Sequence, residues 1–205
     1  MINEFGGRVA TVWEGLRPIT KKMLVGALQS TTVGTTNSKT PKFSYDAHAD
    51  WEVSRLLTAL DEQSKTSEIR SDSAKFTEIK QLADTCVRVL ESQSASAEVF
   101  IQLAERAIKE NDYNRLDKLG DHLVHRYSVG EIAEIVRQTE FPQIRAIAYE
   151  TLAMMPVQAM LPVLDDPLYA GIIAAALEQK AYEFDSEEAR DILDQLEEES
   201  EVTGQ

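Results

Sequence analysis

Apolar positions recur at helical spacing along most of the chain, and between residues 128 and 184 the runs open beside Pro142, Pro156 and Pro167. Proline has no N–H to lose in a first helical turn and its fixed φ is already helical, so each predicts a helix start. Ile144, Ile147, Ala148 and Leu152 match the spacing of Leu168, Ile172, Ile173 and Ala176, and Pro142 to Pro167 sets a period of 25 residues. Helices are predicted over 129–139, 142–154, 156–164, 167–183 and 187–198. Ser128 with Glu131 spells a capping box, Asp185 with Glu188 a carboxylate variant, and Asp166 caps ahead of Pro167. Residues 171–177 are apolar nearly all round, which predicts a helix buried between neighbours.

Upstream, Ala49, Val53, Leu56, Leu57 and Leu60 share one face of a helix that ends before the polar run 63–73, and Trp51 lies off that face. Phe76, Ile79, Ala83, Cys86 and Leu90 mark the next helix. Phe100, Leu103, Ala104, Ala107 and Ile108 pair with it as a hairpin. Asn111, Asp112 and Asn114 break the chain before Leu116, Leu119, Leu123 and Tyr127. Clean strand alternation is absent, so the expected class is all-α: stacked antiparallel helical hairpins, α-solenoid-like, with a tethered N-terminal segment.

That segment, residues 8–29, places Val9, Val12, Trp13, Leu16, Ile19, Met23 and Ala27 at helical spacing, with Arg8, Arg17, Lys21 and Lys22 largely off the face. Pro18 should divide or kink it. Residues 30–42 are polar and without helical period, so they read as a linker reaching about 43 Å at about 3.3 Å per residue. The expected organisation is a docking segment 1–29, a flexible linker 30–42, a repeat-like body 43–199 and a disordered tail 200–205.

Composition narrows the function. The net charge of −14 is uneven: +2 over 1–50, −3 over 51–100, −2 over 101–150 and −11 over 151–205. An acidic body repels phosphate backbones, which argues against nucleic acid and permits a basic partner. The single Cys86 excludes an internal disulfide. No stretch approaches the roughly 20 apolar residues that span a bilayer, and residues 1–8 lack the pattern of a secretory leader, so the expected compartment is the cytoplasm.

Residues 142–152 read Pro-Gln-Ile-Arg-Ala-Ile-Ala-Tyr-Glu-Thr-Leu and resemble the second half of a HEAT-like repeat. Residues 166–177 are similar but lack the arginine, and residues 104–119 look like a tetratricopeptide-type hairpin. The resemblance covers about half of the chain and implies a right-handed stack of helical hairpins that holds other proteins. It transfers no catalytic residue.

The strongest constellation for chemistry is Asp117, Asp121, His122 and His125, since carboxylate and imidazole three and four apart on a helix can bind a transition metal. Leu116, Leu119 and Leu123 turn that helix's other side inward, so these groups are expected to face water. His48, near Asp46 and Asp50, is similarly isolated. No glycine-rich phosphate loop or nucleophile beside a base is present. The expected function is therefore a non-catalytic, cofactor-free adaptor or accessory subunit, docking to a protein partner through Val12, Trp13, Leu16, Arg17, Lys21, Lys22, Met23 and Trp51. Two rivals stand beside it. One lays residues 8–29 on the cytoplasmic side of an anionic membrane. The other is a metal-binding or enzymatic protein using His122 and His125.

Overall fold

The computed structural model describes residues 2–32 and 45–203. Among them are twelve α-helices, a 3-10 turn at Ile2–Phe5 and no strand, an all-α fold. The chain divides into two compact units, Met1–Ser94 and Ala95–Gln205. All the excess charge lies in the second: 12 basic and 12 acidic residues fall in 1–94, against 9 and 23 in 95–205.

In the first unit α1 is Gly7–Gly15, α2 Pro18–Thr32, α3 Ala47–Gln63, α4 Ser67–Ser71 and α5 Ser73–Gln93. The central pair is α3 and α5; α1 packs on α3, α2 on α5 and α3, and α4 on α5. Val53, Leu56, Leu57 and Leu60 of α3 meet Ile79, Leu82, Cys86 and Leu90 of α5 in a core in which none exceeds 3% exposure. Side-chain caps define the starts. Asp46 accepts from Ala49 N (2.8 Å), and Asp72 from Ala74 N and Lys75 N (both 3.1 Å).

The expected boundary between a docking segment and a body at 43 is not where the structure divides. Pro18 does split the segment into α1 and α2, but Val9, Leu16 and Leu24 lie in the core of the first unit at 0%, 5% and 0% exposure. The reason is amphipathicity itself: an apolar stripe on a short helix gains about 1.5–3 kcal/mol for each large side chain it buries, and α3 and α5 offer the surface. Of the expected linker, residues 30–32 continue α2, while 33–42 lie outside the described residues.

In the second unit α6 is Ala97–Glu110, α7 Tyr113–Arg126, α8 Val129–Gln138, α9 Pro142–Met154, α10 Val157–Leu164, α11 Ala170–Glu183 and α12 Glu187–Thr203. Every substantial pairing joins helices one to three places apart in sequence, the layered order of stacked helical elements. Pro142 opens α9 as its first residue. Pro156 is instead the cap residue before α10, and Pro167 stands in the turn ahead of α11. The expected cap Asp185 is also displaced: it takes a left-handed φ of 52° and Ser186 caps α12, accepting from Ala189 N at 3.3 Å. In residues 171–177, Ile173, Ala176 and Leu177 are buried, whereas Gly171 is exposed and Ile172 half-buried, so α11 keeps an outward edge. Of the expected disordered tail, residues 200–203 continue α12, and 204–205 lie outside the described residues.

Helix ends in this unit are tied by side chains from other helices. Ser128 accepts from Glu131 N (3.2 Å) as the capping box requires, but the Glu131 carboxylate accepts from Ala97 N (2.7 Å) at the start of α6. Arg145 donates to Thr139 O (2.6 Å), Lys180 to Ala153 O (2.9 Å) and Arg190 to Ala181 O (3.0 Å). Each cation satisfies a carbonyl at a helix C-terminus, where the backbone dipole favours positive charge. No single described helix is long and apolar enough to cross a membrane; α9 and α10 pass together by composition but meet at 115°.

Candidate interaction surface on the first unit

The face that α3 buries dictates the face it shows. With Ala49, Val53, Leu56, Leu57 and Leu60 inward, the positions at i, i+3, i+7, i+10 and i+14 from His48 form an exposed stripe: His48, Trp51, Arg55, Thr58 and Glu62. Trp51 is 54% exposed. The Arg55 guanidinium carbon lies 4.8 Å from its ring centroid, and the His48 ring packs at 5.6 Å with a 55° tilt. Stacking of this kind holds a large apolar ring in place while leaving it open to solvent.

On α1, burying Val9 leaves Arg8, Thr11 and Val12 along the rim of α3. A groove of about 330 Å³ results, lined by Gly7, Arg8, Thr11, Val12, Arg55 and Thr58. Thr11 donates to Gly7 O (2.8 Å) and Thr58 to Ser54 O (3.0 Å), so both hydroxyl protons serve their own helices. The groove's charged donors are therefore two guanidiniums, one from each helix. Arg8 also pairs with Glu62 of α3, whereas Arg55 has no carboxylate partner among the described residues.

Beneath this surface a polar lock holds α3 to the α1–α2 corner. Glu52, next to Trp51 but turned inward, is 1% exposed. Its carboxylate accepts from Arg17 N (2.6 Å), from the Arg17 guanidinium (2.9 Å) and from the Thr20 hydroxyl. The same guanidinium donates to both Asp46 oxygens at 3.0 and 2.7 Å. Burial alone would raise the Glu52 carboxyl; hydrogen bonds from Thr20 and Arg17 outweigh it and hold it below its usual range. Arg17 holds Asp46 far down, and Asp46 and Glu52 in turn raise Arg17. Nearby, burial and then a 2.6 Å hydrogen bond to Asp50 push Tyr45 upward.

The eight residues expected at a partner contact are thus distributed between surface and interior. Trp51 is on the exposed face and Val12 lines the groove, half-buried. Trp13 and Met23 are half-buried, Leu16 is in the core, Arg17 is in the lock, Lys21 donates to Glu14 O (3.0 Å) and Lys22 is exposed. For the membrane rival, Val9 and Leu16 of the apolar face are already covered by protein, Val12, Trp13, Met23 and Ala27 are half-buried, and Ile19 is exposed. The metal rival's Asp117, Asp121, His122 and His125 are exposed on α7, and no group of three or more His, Cys, Asp or Glu side chains among the described residues could hold a metal ion.

Arg55 and Glu52 escaped the sequence reading. Arg55 stands at i+4 from an off-face tryptophan, the spacing that stacks two side chains. Glu52 is the lone carboxylate within an apolar face, and buried charges require partners. No family model, curated protein or solved structure matches this chain.

Proposed function

We propose that the chain is a non-catalytic protein-interaction adaptor or accessory subunit of a larger assembly, a helical-hairpin protein of HEAT-like kind whose first unit receives an acidic segment of a protein partner. One observation carries the reading: Trp51, exposed yet fixed by His48 and Arg55, stacks on one of the two guanidiniums that line the groove. Tryptophan and arginine are the residue types that dominate interface energetics, because both present large, preorganised contact area. Acidic partner groups complement the groove and speed encounter.

The test is quantitative affinity capture from the native cell with wild-type chain and with Trp51→Ala and Arg55→Ala. Truncating a central tryptophan costs at least about 2 kcal/mol in an interface, about 30-fold in Kd. A partner should therefore be retained by wild type and lost by both variants, with unchanged circular dichroism. Identical capture by all three would end the reading.

A further inference from the structure

We infer that the occupant of the α1–α3 groove is helix α12 of a second copy of this chain, so that the protein associates head to tail. The inference rests on the groove being a docking site and names what docks.

The charge partition supplies the argument. The first unit is neutral overall and the second carries the whole excess of −14. Its densest acid is α12, with eight carboxylates and one base, Arg190, and that base is already bound to Asp185 and Ala181 O. Position along the helix matters more than number. Ala189, Ile192, Leu193 and Leu196 face α11, with Ala189 fully buried. Glu187, Asp191, Asp194 and Glu198, at i, i+4, i+7 and i+11, form a stripe on the opposite side, and all four are exposed. Asp191, Asp194 and Glu198 have no hydrogen bond or ion pair among the described residues. Like charges at these spacings destabilise a helix, so a cationic surface that neutralises them is favoured beyond the contact itself.

The groove matches that ligand in form. It runs between two helices and presents Arg8 and Arg55 from opposite sides, Arg55 stacked on Trp51. Helix-in-groove docking reads anchors at one-turn spacing, and successive carboxylates of the α12 stripe stand about 4.5–6 Å apart along the axis. The two surfaces differ, one in each unit. A contact of this kind is heterologous and propagates from copy to copy until it closes a ring or extends a chain.

Sedimentation velocity of the full-length protein tests this directly. At about 0.01 M salt, where screening acts over about 30 Å, the weight-average sedimentation coefficient should rise across a concentration series; at about 1 M, where it acts over about 3 Å, the monomer should return. Arg8→Gln/Arg55→Gln and Asp191→Asn/Asp194→Asn should each remain monomeric at low salt, with melting curves like wild type. Mixed together, the two variants retain one groove and one acidic helix between them, so they should form a one-to-one dimer and nothing larger. Wild type that stays monomeric at every concentration in low salt overturns the inference, as does association that the groove substitutions leave intact. If wild type is monomeric while Trp51→Ala still abolishes capture of another protein, only the identity of the occupant fails and the docking reading survives.

Discussion

Arg17 donates twice to Glu52: its backbone N–H reaches one carboxylate oxygen at 2.6 Å and its guanidinium the other at 2.9 Å. One buried glutamate therefore satisfies the orphaned backbone at the start of α2 and pins that corner to α3. Glu52→Ala leaves the Arg17 N–H and the Thr20 hydroxyl without their acceptor in a covered site, at a cost of about 2 kcal/mol. The expected result is a lower urea midpoint with an unchanged slope. Glu52→Gln, which keeps an acceptor oxygen, should recover part of the loss. Equal stability of Glu52→Ala and wild type would show that the corner holds by apolar packing alone.

The lock also fixes a pH dependence. Asp46 and Glu52 ionise more readily in the folded chain than in the unfolded one, so the unfolded state takes up protons first on acidification. Their contribution is complete above the ordinary carboxyl range, about 3.9 to 4.3, and declines as pH falls through the depressed folded values. Glu134 in the second unit behaves likewise: Arg137, then Gln138 and Tyr169, outweigh its burial and lower it to about 2. Thermal melts from neutral pH downward should therefore fall below about pH 4.3, and Glu134→Gln should flatten the part of that fall that lies above about pH 2. A variant that tracks wild type through this window would remove Glu134 from the account.

The longer helices were legible in the residues, because burial and periodicity are local statements, whereas α4 was not: it lies inside the polar run 63–73 and buries a single apolar side chain, Ile69. Leu116, Leu119 and Leu123 are buried where their spacing put them, and Asp117, Asp121, His122 and His125 are exposed on the other side. Partnership across the chain was not legible. Glu131 has the spacing of a capping box, yet its carboxylate reaches Ala97, 34 residues away. Asp185 resembles a cap, but its left-handed φ hands that role to Ser186. The amphipathic stripe of 8–29 predicts a buried face without naming what covers it. α3 and α5 cover it, and a docking element and a core element look the same in sequence for that reason.

Removal of residues 1–42 consequently has a definite expected outcome. It deletes Val9, Leu16 and Leu24 from the core and strips Glu52 of both its Arg17 and Thr20 donors. The truncated protein should melt many degrees lower or become insoluble, since Leu24 alone represents a truncation cost of about 2–5 kcal/mol against a total of about 5–15. Leu24→Ala in the full chain should reproduce part of the shift. A truncated protein with an unchanged melt would restore the tethered segment.

The sharpest test of packing in the second unit compares two neighbours on α11. Leu177 is 0% exposed, whereas Ile172 is only half-buried on the edge of the same helix. An aspartate at 177 has neither water nor a partner, so it must be buried as an unpaired polar or charged group at a cost of several kcal/mol. At 172 the carboxylate can turn toward solvent, and the loss is mainly the apolar contact of one partly covered side chain, about 1 kcal/mol. Leu177→Asp should therefore abolish the cooperative melt of the second unit by circular dichroism, while Ile172→Asp lowers it by a few degrees. Both substitutions add the same charge to the same helix, so net charge cancels; the first-turn position of 172 favours an aspartate by only about 0.3–1 kcal/mol, so burial dominates the difference. Equal effects would mean that α11 has no outward edge.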